Sequence, residues 1–136
     1  MIVDTSALVA LAREESGRET LRDALLLGES IIPAPVVVEF RRVTAGSGNL
    51  PHPDADRLLA ELQDAGATVE AFTAADADLA AAANVEYGTG NGRGGRLNML
   101  DLMVYGMARR IGAPILCTGT DFLSTGIAIH PASRRW

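Results

Sequence analysis

Lysine is absent from this chain of 136 residues: all twelve of its basic residues are arginines. That excludes Schiff-base catalysis, Walker-type phosphate loops and receiver-type acidic pockets, each of which depends on a lysine amine. Histidine is scarce, with only His52, between two prolines, and His130, near the C-terminus, so a histidine acid–base pair has poor support. The one cysteine, Cys117, has no partner for an internal disulfide and lies in an apolar run that reads as a buried strand, which points to the cytoplasm. No apolar stretch approaches the length needed to cross a bilayer, and the first arginine is Arg13, so no basic leader is encoded; neither export nor membrane anchoring is expected.

What is present is an alanine-rich chain, 48% hydrophobic, 21% charged and only 4% aromatic, a composition that excludes disorder and a fibre. The length predicts a single domain over residues 1–136. Seventeen acidic residues against twelve basic ones leave a net charge of −5. The basic footprint of a nucleic-acid binder is therefore missing, and any such role has to explain the deficit.

The opening Met1-Ile2-Val3 reads as a strand, Asp4-Thr5-Ser6 as a turn, and Ala7 onward as a helix. A capping-box pattern, Ser16 to Glu19, starts a second helix through Leu27, and Ser30 to Pro33 reads as a second strand. Helices are predicted over Pro35–Ala45 and Pro53–Ala65, and a strand over Thr68–Phe72. A second capping box, Thr73 to Asp76, opens an alanine-rich helix to Glu86; a loop with five glycines runs from Gly88 to Arg96, and a helix spans Asn98–Ile111. Strands over Pro114–Cys117 and Ile127–His130, with a turn or short helix at Thr120–Thr125 between them, complete the chain. Short strands alternating with helices predict βαβ units: an α/β fold, a three-layer α/β/α sandwich around a mostly parallel sheet. Ligands of such sheets bind at the carboxyl ends of the strands, where strand order reverses.

Two acids fall at that edge. Asp4 follows the first strand directly, and Asp121 follows the Ile115-Leu116-Cys117 strand by a four-residue turn. Two more occupy apolar helix faces: Glu39 with Val36, Phe40 and Val43, and Asp101 with Leu97, Leu100, Val104 and Ala108. Taken singly each has an ordinary explanation. Asp4 can cap a helix, Asp101 can close a capping box with Asn98, Asp121 can open a helical turn, and Glu39 can pair with Arg42. Taken together, four converging carboxylates repel unless divalent metal neutralises them, and all-oxygen ligands point to Mg²⁺ or Mn²⁺.

These residues resemble the PIN-domain ribonucleases, specifically the VapC toxins of toxin–antitoxin operons. MIVDTSALVAL at 1–11 is similar to the family's opening motif, VVVEF at 36–40 carries its second acid, GRLNMLDLMVYGMA at 95–108 looks like its Leu-Asn-x-x-Asp-x-x-x-Tyr helix, and LCTGTDF at 116–122 matches its last motif. The order and spacing agree over nearly the whole chain; Met99-Leu100 replaces the aromatic and glycine often found before the third acid. The resemblance implies a Mg²⁺-dependent (or Mn²⁺-dependent) endoribonuclease of structured RNA, tRNA or rRNA. Its catalytic and metal-binding acids would be Asp4, Glu39, Asp101 and Asp121, with Ser6, Asn98 and Thr118 in support. It also implies a VapB-type antitoxin partner and a homodimer.

Removing the four site acids from the seventeen leaves thirteen against twelve arginines, so the site itself carries the charge excess. RNA is then recruited only once metal reverses the local field, and water is the expected nucleophile. Gly90 to Gly95 matches a dinucleotide fingerprint but follows a helix instead of a strand. It reads better as a mobile loop beside the pocket, with Arg93 and Arg96 offered to phosphates, or as a plain solvated loop. The pairs Arg41/Arg42 and Arg134/Arg135 are weaker RNA contacts. Two rivals stand beside the nuclease. One is a catalytically silent PIN-like module that binds RNA or a partner. The other is a haloacid-dehalogenase-type phosphatase, which wants a second aspartate where Ser6 stands and a lysine this chain lacks.

Overall fold

Two of the four short strands run directly into helices. A computed structural model describes residues 1–133. Strand β1, Ile2–Val3, is buried on both faces and passes through Asp4 straight into α1, Thr5–Ala12. Helix α2, Arg18–Leu27, leads to β2, Ile31–Pro33, which runs without a loop into α3, Ala34–Thr44, with Pro35 in its first turn, where the missing N–H costs nothing. Helix α4, Pro53–Asp64, precedes β3, Thr68–Glu70; α5, Ala74–Tyr87, and α6, Met99–Ile111, precede β4, Ile115–Leu116. A 3₁₀ turn, Asp121–Thr125, follows.

The sheet has the order β3-β2-β1-β4 and every pairing is parallel; Ile2 sits opposite both Ile31 and Ile115. Strand order reverses between β1 and β4, so their carboxyl ends flank the switch point where α/β sheets open a crevice. Right-handed crossovers put the β1-to-β2 and β2-to-β3 helices on one face and the β3-to-β4 helices on the other. Packing follows suit: α1 contacts α2, α3 and α4, while α5 lies along α6. α3 also meets α6, and that contact brings Glu39 and Asp101 to one pocket. Ile2, Leu8, Ile32, Phe40, Val104, Ile115 and Leu116 are the fully buried centre. Among the described residues, no helix is long and apolar enough to cross a membrane.

Three local expectations are corrected. The Ser16–Glu19 capping box does not form: Gly17 is the N-cap, in the left-handed region at φ 78°, and no side chain caps the helix. Glu14 is left-handed too, at φ 55°, so the turn from α1 is too tight to place Ser16 at the cap, and Arg18 pairs with Glu14 at 2.9 Å. Ile127–His130 makes only a single bridge, Ile129 to Ile115, because two-residue β4 offers no longer edge. The Gly88–Arg96 loop is pinned and not open. Asn91 Nδ2 donates to the Glu86 carbonyl at 2.8 Å, and its Oδ1 accepts from Arg93 N–H at 2.8 Å and Gly95 N–H at 3.1 Å. Gly95 is required there, since a Cβ would stand 2.3 Å from the Gly88 carbonyl oxygen. Arg134 and Arg135 lie outside the described residues.

Candidate active site

Asp4 ends β1 and N-caps α1 with extended backbone, φ −85° and ψ 155°. Its Oδ2 accepts from Ser6 N–H at 3.0 Å and Ser6 Oγ at 2.5 Å, and Ser6 Oγ in turn accepts from Thr118 N–H at 2.9 Å. Ser6 thus joins the ends of β1 and β4 across the switch point. Thr118 contributes its backbone N–H to that link. Asp4 is almost fully enclosed; burial raises its carboxyl above the usual range, the Ser6 hydrogen bonds oppose that, and the Glu39 charge adds to it.

Asp101 closes the capping box at the start of α6. Asn98 Oδ1 accepts from Leu100 N–H at 2.8 Å and Asp101 N–H at 3.1 Å, while Asp101 Oδ2 accepts from Asn98 N–H at 2.8 Å. Burial, opposed by that hydrogen bond and reinforced by the charges of Asp4, Asp121 and Glu39, pushes this carboxyl up to about 7. Glu39 is half-buried at the rim of the α3 stripe, with Arg42 Nη2 at 3.8 Å. Asp121, more exposed, opens the 3₁₀ turn with Arg96 Nε at 3.9 Å.

All seven predicted residues, Asp4, Glu39, Asp101, Asp121, Ser6, Asn98 and Thr118, line one pocket of about 370 Å³. Arg96 borders it through Asp121, whereas Arg93 is exposed on the loop, where its backbone N–H donates to Asn91 Oδ1. Arg41 is engaged by Asp56 at 2.8 Å. Neither His52 nor His130 lines the pocket: His52 caps α4, and His130 Nδ1 accepts from Ala132 N–H.

Sequence reasoning passed over Thr5. Its Oγ1 is the one buried side-chain polar atom without a hydrogen-bond partner among the described residues, and it lines the same pocket. The pattern Asp-Thr-Ser marks it only as a turn residue; burial inside the first turn of α1 is what makes it unusual. Among the described residues, no three carboxylate, imidazole or thiol groups are gathered closely enough to grip an ion as they stand. Like-charge repulsion across the pocket opposes such gathering. The donors themselves, four carboxylates and an unpartnered hydroxyl, form the hard oxygen set that suits Mg²⁺ or Mn²⁺.

Comparison with known proteins agrees with this geometry. The PIN domain family model matches residues 1–127, and the chain belongs to that family. Within it the relatives are VapC ribonucleases. Ribonuclease VapC42 of Mycobacterium tuberculosis is 40% identical over 129 residues, covering 93% of this chain and 96% of that protein. Ribonuclease VapC36 of the same organism is 37% identical, covering 100% and 97%. The crystal structure of M. tuberculosis VapC20, a sarcin-ricin loop cleaving toxin, superposes with a TM-score of 0.71 at 19% identity, covering 93% of this chain and 95% of that one. A toxin–antitoxin complex from Klebsiella pneumoniae gives 0.64 at 21% identity. These two likenesses establish the fold.

Proposed function

We propose that the chain is a Mg²⁺- or Mn²⁺-dependent endoribonuclease toxin that hydrolyses structured RNA, acts as a homodimer and is held off by a VapB-type antitoxin. The observation that carries the reading is Asp101: a carboxyl crowded by three other acids, in a pocket at the switch point. The ribonuclease names of the relatives and the toxin–antitoxin neighbour support the substrate class and the partner.

Asp4 and Asp101, with Thr5 Oγ1, would hold the cation, and Glu39 and Asp121 complete its surroundings or orient the attacking water. A bound divalent cation supplies charge neutralisation and a lowered pKa for water. Ser6 fixes the Asp4 carboxylate and Asn98 fixes that of Asp101, so neither has to be ordered when RNA arrives. Asp121, on the exposed side with Arg96 Nε at 3.9 Å, would orient the incoming water. Water as nucleophile leaves 5′-phosphate and 3′-hydroxyl ends.

The test is cleavage of total tRNA and rRNA with Mg²⁺, Mn²⁺ or EDTA, beside Asp4→Asn and Asp101→Asn, with the cut ends mapped. Metal-dependent cutting lost in both variants is expected. A 2′,3′-cyclic phosphate product overturns the water mechanism, and RNA binding without cutting returns the chain to the silent-module reading.

A further inference from the structure

The pocket does not stop at the acids. Its lining continues through Val9 and Arg13 of α1 and Val43 of α3. Ser6, Val9 and Arg13 are spaced at three and four residues and share one face of α1; Glu39 and Val43 share one face of α3 in the same way. Because α1 packs on α3, these two faces together form one side of the pocket. Asp4 is the N-cap of α1 and Arg13 its C-cap, so at a rise of about 1.5 Å per residue the two caps stand on the order of 13 Å apart.

Among the described residues, Arg13 is the one cation in that lining, and no carboxylate pairs with it. Glu14, its sequence neighbour, is engaged by Arg18 instead. Arg42, Arg57 and Arg110, by contrast, each have a carboxylate within reach. The apolar side chains in the same lining are Val9, Val43 and Phe122.

We infer that Arg13 is a phosphate-binding position: its guanidinium takes an RNA backbone phosphate flanking the scissile one and lays the strand along α1. The inference rests on the nuclease reading and deepens it. A polyanion approaching four carboxylates is repelled, so the attractive charge has to stand away from the reacting centre, where it is not consumed by the acids. Arginine's planar fork matches phosphate oxygens in two directions, and a position on the same rigid helix as Asp4 sets the register between the two phosphates. Arg13 is therefore a positioning residue. The competing explanation is a cation that merely complements the C-terminal end of α1.

The experiment measures binding of a labelled single-stranded oligoribonucleotide across salt concentrations in an Asp101→Asn background. Arg13→Gln is expected to weaken affinity about five- to tenfold and to lower the salt slope by about 0.7. Arg13→Lys restores the slope and only part of the affinity. Arg109→Gln, at the far end of α6, leaves both unchanged. In cleavage-competent protein Arg13→Gln raises KM while kcat stays within about twofold. Unchanged affinity and slope in Arg13→Gln overturn the proposal, as does a lowered melting temperature with the slope intact. Cutting by wild type with an unaffected Arg13→Gln sinks this inference alone; a lost slope without any cutting by wild type sinks the nuclease reading and leaves the phosphate site standing.

Discussion

Asp76 and Asp101 occupy the same position of the same local device, the third residue of a capping box, on adjacent helices that pack against each other. Asp76 is fully enclosed. Its Oδ2 accepts from Thr73 N–H at 2.7 Å and Thr73 Oγ1 at 2.6 Å, and Arg110 Nε, from α6, donates to Oδ1 at 2.5 Å. Burial alone would raise its pKa, but Arg110 and Thr73 outweigh it and hold the carboxyl below the usual range. Asp101 has the cap and, among the described residues, no arginine; three further acids face it, and it rises to about 7. Where the fold needs a buried carboxylate for structure, the chain supplies the cation. At the switch point it supplies more carboxylates, an arrangement that makes sense when the missing charge comes from outside.

The contrast breaks most visibly in activity. Asp101→Asn or Asp4→Asn keeps the shape and removes the charge, and RNA cleavage should fall by about 10²–10⁴-fold, the scale of losing a group that acts in the transition state. The same variants should melt higher than wild type in EDTA, because a repelled buried charge has gone. Adding Mg²⁺ at about 100 times its dissociation constant should stabilise wild type by about 2.7 kcal/mol and leave Asp4→Asn unmoved, read by thermal melts. A wild-type melt indifferent to Mg²⁺ and Mn²⁺ removes the case for a cation site.

The structural half of the contrast is broken by Arg110→Gln, which strands Asp76. The Arg110 side chain is 34% exposed, so water replaces part of what is lost, and the melting midpoint should fall by about 5–10 °C. Cleavage per folded molecule should be preserved. Gly106→Ala is a milder form of the same test. A Cβ at 106 would meet the Asp76 carbonyl oxygen at 2.4 Å, so α6 must move off α5. The overpacking should cost about 1–3 kcal/mol in urea unfolding, despite alanine's better helix propensity.

Much of this was legible in the sequence, for identifiable reasons. A charged residue on an apolar stripe is a local signal, so Glu39 and Asp101 could be picked out from periodicity, and Asp4 and Asp121 from their distance past a strand. Both capping boxes on α5 and α6 were readable because their donors and acceptors lie three residues apart. Nothing local marks Arg110 as the partner of Asp76, thirty-four residues away, since that contact depends on how α5 packs on α6. Thr5 stayed hidden since nothing local marks a hydroxyl as unpartnered. Asn91's anchoring of the glycine loop is invisible to sequence because its three hydrogen bonds exist only once the glycines have turned. The last strand failed for a reason outside its own residues: its neighbour β4 is too short to pair with it.

The smallest effect separates the two aspartates by pH. The folded Asp101 carboxyl ionises at about 7, against an ordinary value of 3.8. Between those values the folded chain holds the extra proton, so stability is fully present below 3.8 and declines as pH rises through about 7. Asp76 runs the other way: its folded value lies below 3.8, so its contribution is present above that pH and is lost as pH falls through the folded value. Urea midpoints in EDTA across this range should therefore show two limbs of opposite slope. Asp101→Asn should reduce the upper limb without abolishing it, since Asp4 is raised as well, and Asp76→Asn should flatten the lower one. Asp101 keeps some contact with solvent, and screening there makes this the smallest effect. An upper limb unchanged by Asp101→Asn would mean that its carboxylate is an ordinary solvated cap, and the difference between the two helices would then lie in Arg110 alone.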